Sequence, residues 1–324
     1  MKAVLCTRYC KPDELEIGDL PDPVAGEGQA VVRVRAAALN FFDTLIIAGK
    51  YQTKPAFPFS PAAEFAGEVA SIGPGVTAVR PGDRVAGNIG YGAAREKIAV
   101  AADRLVRLPD GIAFEQAAGV IVTYGTALHA LRDRAALRAG ETLAVLGAAG
   151  GIGLAAVEVG KLLGARVIAC ASSADKLAFV RQHGADATVN YAEEDLKDAL
   201  RRLTGGAGPE VIYDPVGGAL AEPALRALAW GGRFMVIGFA AGEIPRLPLN
   251  LVLLKSCDVR GVFWGAWSER APAASRANND ELMQWCAQGR LSAHVHEVFP
   301  LERIAQALHA LSDRKAMGKV IVRP

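Results

Sequence analysis

Apolar positions change rhythm twice along the chain. Up to about residue 120 they form short alternating or β-branched runs, such as QAVVRVRAAAL (29–39) and EFAGEVASIG (64–73). Turn residues interrupt these runs in GPG (73–75), PGD (81–83) and PDG (109–111). Glycine and proline supply the backbone angles that reverse a strand, so this spacing predicts many short strands in a compact β-barrel-like domain.

After FEQAAGV (114–120) the texture changes. From about 121 to 262, apolar strand-length runs alternate with helix-length segments. Strands are expected at 143–146, 166–170, 187–189, 211–214, 233–237 and 258–262, with helices such as GLAAVEVGKLLG (153–164) and ADKLAFVRQHG (174–184) between them. Parallel neighbours need a long return connection, so six apolar strands with crossover helices imply a parallel sheet covered on both faces. Residues 263–324 return to mixed α and β and end in GKVIVRP. The expected α/β architecture is a nucleotide-binding domain (121–262) inserted into a catalytic domain made of 1–120 and 263–324.

Composition narrows the possibilities. A chain of 324 residues, 51% hydrophobic, can bury the cores of two domains. Its 36 basic and 34 acidic side chains leave a net charge of +2. Nothing there concentrates positive charge for nucleic acid or an anionic membrane. Lys2 and Arg8 interrupt the start before an apolar targeting region can form, and the uncharged stretch 142–157 is short and broken by glycines. A cytoplasmic protein is therefore expected. The five cysteines, at 6, 10, 170, 257 and 286, form no disulfide framework. Cys6 and Cys10 have no second pair nearby to complete a zinc site, and read as small apolar residues on or beside strands.

The strongest chemical signal is LAVLGAAGGIG (143–153). Gly147, Gly150 and Gly153 follow an apolar strand and open an amphipathic helix. Bare backbone at that junction lets a pyrophosphate approach the free amides and positive end of the helix. Ala149, Gly150, Gly151 and Ile152 are the expected contacts. The second strand, ARVIACASSADK (165–176), carries no acid at its end to accept from a ribose 2′-hydroxyl. Ser172 and Ser173 can donate to a 2′-phosphate instead. Lys176 falls in the first turn of the next helix, where a cation opposes the helix dipole unless an anion sits beside it. These features favour NADPH. Tyr191, after the third strand, either flanks the same phosphate or adenine or is a half-buried packing residue.

Further motifs extend the pattern over nearly the whole chain: LNFFDT (39–44), AGKY (48–51), PAAEFAGEVASIGPGV (61–76), GDRVAG (82–87), AAGVIVTYGTAL (117–128), NYAEEDL (190–196), YDPVGG (213–218) and GKVIV (318–322). With GAAGGIG they make the sequence resemble the zinc-independent quinone oxidoreductase (zeta-crystallin-like) branch of the medium-chain dehydrogenase/reductase superfamily. The resemblance implies a GroES-like β-barrel catalytic domain and a Rossmann doubly wound parallel six-stranded sheet. It also implies a homodimer paired through edge strands near 247–262. Zinc-dependent relatives carry Gly-His-Glu where this chain has Ala62-Ala63-Glu64, and the cysteine ligands and four-cysteine lobe are missing. Catalytic zinc needs three protein ligands. His129, His183, His294, His296 and His309 do not restore them, so no metal is expected.

Without a metal to polarise a carbonyl, the acceptor must already be electrophilic: a quinone or an alkene conjugated to a carbonyl. Negative charge then collects on oxygen, where hydrogen-bond donors stabilise it. Asn40 offers an amide, Asp43 an orienting carboxylate and Tyr51 a phenol that can donate or pass on a proton. A strand-end turn and a loop aromatic are the plainer roles for Asn40 and Tyr51. By resemblance, Asn40, Asp43, Gly49 and Tyr51 match an enoyl-thioester reductase pattern ending in a proton-donor tyrosine. Leu45 departs from quinone reductases that carry a tyrosine there. The resemblance also assigns Thr123, Gly238 and Phe239 of GFAAG, Phe263 and Trp264 of VFWG, and Lys319 of GKVIV to the cofactor side. Trp264 and Trp267 either wall an apolar substrate pocket or pack the core. Two other functions compete with a quinone or enone reductase. An enoyl-thioester reductase should show a cationic route for a phosphorylated tail, which this chain lacks. A non-catalytic NADPH-binding protein, crystallin-like or RNA-binding, does not need Asn40 and Tyr51.

Overall fold

The computed structural model describes residues 1–324. The chain divides into two compact units, Met1–Val122 with Ala273–Pro324, and Thr123–Pro272. The second boundary lies later than the change of sequence texture at 263. The helix Trp264–Arg270 falls in the second unit, where Trp267 stacks on His129 with ring centroids 3.8 Å apart. No helix is long and apolar enough to cross a membrane.

The second unit holds one sheet of six parallel strands. Across the sheet they run Ala187–Asn190, Arg166–Ala171, Thr142–Leu146, Val211–Asp214, Arg233–Val236 and Asp258–Gly261. Strand order therefore reverses between Thr142–Leu146 and Val211–Asp214. In an open parallel sheet that reversal leaves a crevice at the carboxyl ends, where ligands bind. The first strand is buried along its whole length, which explains why it reads as an unbroken apolar run. The helix after it starts at Gly151, two residues before the expected start, because Gly150 takes the extended N-cap conformation.

The first unit is built on a seven-stranded sheet, ordered Val295–Pro300, Lys319–Arg323, Gln29–Leu39, Glu64–Ile72, Arg84–Asn88 and Leu105–Arg107, with Lys97–Ala101 also paired to Gln29–Leu39. All pairings are antiparallel except that of Val295–Pro300 with Lys319–Arg323. One face encloses a core including Val32, Leu39, Phe65, Val85, Leu308 and Val322. Register sets the chemistry. Val320 lies opposite Leu39, and Ala38 opposite Glu64. Three strand ends thus bring Lys319, Asn40 and Glu64 to one place.

Candidate active site

Those three residues form a buried polar cluster. Lys319 Nζ donates to Asn40 Oδ1 at 2.6 Å, to Glu64 Oε1 at 2.8 Å and to the Leu39 carbonyl at 3.3 Å. An ammonium has three donors, so all of them are spent. Asn40 Nδ2 donates to Glu64 Oε1 at 3.0 Å, and the Val122 amide donates to Glu64 Oε2 at 2.7 Å. The Asn40 amide keeps one further N–H beyond the one given to Glu64.

Asp43 is fully buried one turn further on. Its carboxylate accepts from the Asn40 backbone at 2.7 Å and from the Ala62 backbone at 3.0 Å. Burial pushes its pKa up to about 7, against the pull of the two amides and Lys319, with Glu64 adding to the rise. Both oxygens serve backbone groups, so Asp43 orients the turn. Ala62 takes φ +68°, left-handed for a non-glycine residue. Tyr51 is half-buried and stacks on Phe42 at 5.5 Å. Burial, and secondarily Asp43, raise its pKa, so the phenol stays protonated and available as a donor at neutral pH. The structure joins Asn40, Asp43, Glu64 and Lys319 by hydrogen bonds. Tyr51 follows on the same segment.

In the second unit the glycine stretch makes a bare turn. Gly147 has φ +59°, and a β-carbon on Gly153 would strike the Gly147 carbonyl and come within 2.7 Å of Ala148 Cα. Gly150 caps the helix Gly151–Leu162 with no side chain at its amides. Ala149 is buried, while Gly150, Gly151 and Ile152 are half-exposed. Asn190 pairs with Ala171, and the Tyr191 amide donates to the Ala171 carbonyl at 3.1 Å. Tyr191 therefore enters the neighbourhood of Ser172 and Ser173. Ser173 caps the next helix by accepting from the Lys176 amide at 3.4 Å.

Sequence reading passed over Asp214. Its carboxylate accepts from the Val216 and Gly217 amides, both at 2.8 Å, and shapes the loop after the fourth strand. A β-carbon on Gly147 would meet Val216 at 2.8 Å, so this loop lies against the glycine turn. The amides of Ile237 and Gly238 reach the Asp214 carbonyl, and those of Ala240 and Ala241 reach Pro215 and Val216. Gly238 and Phe239 are thereby placed beside it. The signal available in sequence was an acid followed by Pro-Val-Gly-Gly, an Asx-turn pattern. Thr123 is buried, Phe263 is exposed, and Trp264 is buried with its indole N–H unpaired.

Comparison with known proteins matches residues 26–110 to the alcohol dehydrogenase GroES-like domain and residues 151–279 to the zinc-binding dehydrogenase domain. The quinone oxidoreductase-like protein 2 of Rattus norvegicus is 38% identical over 322 residues, covering 99% of this chain and 91% of its own length. The quinone oxidoreductase of Pseudomonas aeruginosa is 35% identical over 325 residues, covering 100% and 99%. This chain belongs to the quinone oxidoreductase family of medium-chain dehydrogenases/reductases. Among solved structures, the Escherichia coli quinone oxidoreductase complexed with NADPH superposes with a TM-score of 0.94 at 29% identity, covering 100% of both chains. That of Thermus thermophilus, also solved with NADPH, gives 0.86 at 35% identity over the same coverage. The fold is accordingly a GroES-like domain with a Rossmann sheet.

The name of the second matched domain refers to zinc, and the residues of this family member do not fit that metal. By the resemblance, Ala63 stands where zinc-dependent relatives carry histidine. Glu64, the remaining candidate ligand, is fully buried and held by Lys319, Asn40 and the Val122 amide. A metal there would meet an ammonium. No group of three or more His, Cys, Asp or Glu side chains is disposed to hold an ion.

Proposed function

We propose that this chain is an NADPH-dependent reductase that delivers hydride to a quinone or a carbonyl-conjugated alkene without a metal. The observation that carries the reading is the closure of Glu64 by Lys319, Asn40 and Val122. It commits the one remaining candidate ligand to protein partners and leaves the spare Asn40 N–H and the Tyr51 phenol as donors. NADPH is supported by the solved relatives and by a second strand that ends at Ala171 and is followed by Ser172, Ser173, Lys176 and Tyr191.

Bound NADPH supplies the hydride. The protein's task is to hold the acceptor and to stabilise charge on its oxygen. The spare Asn40 N–H and the Tyr51 phenol are the donors we assign to that charge. Lys319 acts behind them: with all three of its protons committed, it fixes the Asn40 amide instead of touching the cofactor. Asp43 holds the turn that presents both residues.

Screening NADPH oxidation against quinones, alkenals and enoyl thioesters tests the substrate class. Tyr51→Phe keeps the ring and its stacking, so a change in rate reads as lost transition-state stabilisation. Enone turnover should fall on the order of a hundredfold if the phenol supplies the proton. A quinone should suffer less, because its reduced anion is intrinsically stable. Unchanged turnover of every acceptor would return Tyr51 to a packing role.

We further propose a homodimer in the cytoplasm. All five cysteines are free, as suits a reducing compartment. Beside the edge strand Asp258–Gly261, the helix Leu249–Lys255 exposes Leu249 at 78%, Leu253 at 79% and Leu254 at 71%. A patch of this kind marks an interaction surface. Light scattering at micromolar concentration should give twice the chain mass, and the mass of one chain would overturn the assignment.

A further inference from the structure

CTRYC, at residues 6–10, brings two thiols together. Cys6 Sγ lies 3.8 Å from Cys10 Sγ and 3.0 Å from the Arg8 carbonyl. Cys6 is buried and Cys10 is half-buried, so one thiol can be reached and the other stands behind it. This short loop also grips a second segment. The Cys6 and Phe59 backbones bond each other in both directions, at 2.7 and 3.1 Å, and the Cys10 amide donates to the Ile47 carbonyl at 2.9 Å. Between them Tyr9 packs on Gly49, where any β-carbon would lie 2.8 Å from its ring, and edge-on to Phe57 at 5.0 Å. The loop thus holds residues 47, 49, 57 and 59. Tyr51 sits between the anchors and shares the surrounding core cluster with Cys6 and Cys10.

We propose that Cys6 and Cys10 are a redox-active dithiol, a modification site that oxidants of the quinone or peroxide class close to an intramolecular disulfide, and that closure shifts segment 47–59 and slows turnover. Two S–H bonds break and one S–S bond forms. The two electrons and two protons pass to the quinone, giving a hydroquinone, or to a peroxide, giving two molecules of water when the oxidant is hydrogen peroxide. With peroxide, Cys10 attacks first because it is accessible, breaking the O–O bond and releasing one water. Cys6 then attacks the sulfur of the resulting sulfenic acid, expelling its hydroxyl as the second water. The sulfurs must approach to bonding distance, which pulls Cys10 against its bond to Ile47 and Tyr9 against Gly49. Burial pushes the Cys6 thiol up to about 12 and raises Cys10 as well. At Cys10 the hydrogen bond with Cys6 opposes the rise most, followed by Arg8, while Glu14 and Glu16 reinforce it. The reaction is accordingly slow at neutral pH and faster in alkali, since the thiolate is the nucleophile.

The dithiol chemistry stands apart from the proposed reductase activity, and only the turnover measurement rests on that reading. The reduced protein is treated with hydrogen peroxide, or with a fully substituted benzoquinone that has no free ring position for thiol addition. Mass spectrometry should show loss of two hydrogen atoms, mapped to a Cys6–Cys10 link and reversed by dithiothreitol. Cys10→Ser and Cys6→Ser should each abolish that loss. Cys10→Ala, with circular dichroism as a folding check, guards against a misfolded variant. The oxidised wild type should reduce its acceptor severalfold more slowly, with NADPH binding unchanged and turnover restored by dithiothreitol. No link, a lone overoxidised cysteine, or a link to Cys170, Cys257 or Cys286 would overturn the site. A clean Cys6–Cys10 disulfide with unaltered turnover would overturn its coupling to Tyr51. A reduced protein that turns over no acceptor would sink the reductase reading and leave the mass measurement decisive for the dithiol.

Discussion

In the nucleotide unit, several of the residues assigned to ligand binding reach the surface. Gly150 offers amides with no side chain over them, Ser172 is exposed, and Lys176 is half-exposed. In the first unit, Asn40, Asp43, Glu64 and Lys319 are 7%, 0%, 0% and 3% exposed and are spent largely on one another. A surface that waits for a ligand can lose a residue and remain folded. A buried cluster loses stability when it loses one, because the bonds that position its donors also hold three strand ends together.

Two lysine substitutions should separate these cases most sharply. Lys319→Met leaves the Glu64 carboxylate buried without its cation, and breaking such a pair costs about 3–5 kcal/mol. Urea unfolding should report that loss. Adding Glu64→Gln should recover part of it, because the two side chains share one interaction. Lys176→Ala should stay within about 0.5 kcal/mol of wild type, as surface changes do. It should instead weaken NADPH roughly tenfold, about 1.4 kcal/mol, while leaving NADH nearly untouched. Equal stability of the two variants, or equal loss of both cofactors in Lys176→Ala, would dissolve the distinction.

A pH titration probes the buried cluster more finely. Unfolded Asp43 ionises near its ordinary value of 3.8, the folded residue only near 7. Between those values the folded chain keeps a proton that the unfolded chain has released. The resulting stabilisation is lost as pH rises, and above about 7 the fold carries a buried carboxylate. Asp43→Asn cannot titrate. The advantage of wild type over Asp43→Asn in Tm should therefore shrink from pH 5 to pH 8, and a constant difference would show that burial does not hold the proton on Asp43.

The same contrast explains what could be read before the fold was seen. The Rossmann half was legible because its logic is local: an apolar strand, a glycine turn and a helix lie consecutively, and the strand ends carrying Ser173 and Tyr191 follow within one βαβ rhythm. All six strands were placed to within a residue or two. The cluster in the first unit was not legible as a cluster. Asn40, Glu64 and Lys319 meet only through strand register, with 255 residues separating Glu64 from Lys319, and no period in the sequence records that meeting. The resemblance places Lys319 on the cofactor side, and the register adds what no pattern showed: its ammonium donates to Asn40, Glu64 and the Leu39 carbonyl. Asp214 was passed over for a related reason, since its partners are backbone amides that any sequence supplies.

The smallest expected effect concerns one buried hydroxyl of the nucleotide sheet. Tyr213 lies on the central strand Val211–Asp214, one residue before the loop-shaping Asp214, and is fully buried. Its hydroxyl has no hydrogen-bond partner. Water solvates that hydroxyl in the unfolded chain, so burying it unpaired costs about 1–3 kcal/mol. Burial also raises its pKa strongly, so the phenol stays protonated at neutral pH and does not act as a base. Tyr213→Phe removes the oxygen and keeps the ring, at the expense of a small void. The two effects oppose each other, and removal of the unpaired group should win by about 1 kcal/mol, a gain in Tm of a few degrees. NADPH affinity and acceptor turnover should stay as they were, in contrast to Tyr51→Phe, where the same chemical change is expected to spare the fold and cost the reaction. A loss of stability in Tyr213→Phe would mean that the hydroxyl is satisfied after all, by an ordered water within the sheet.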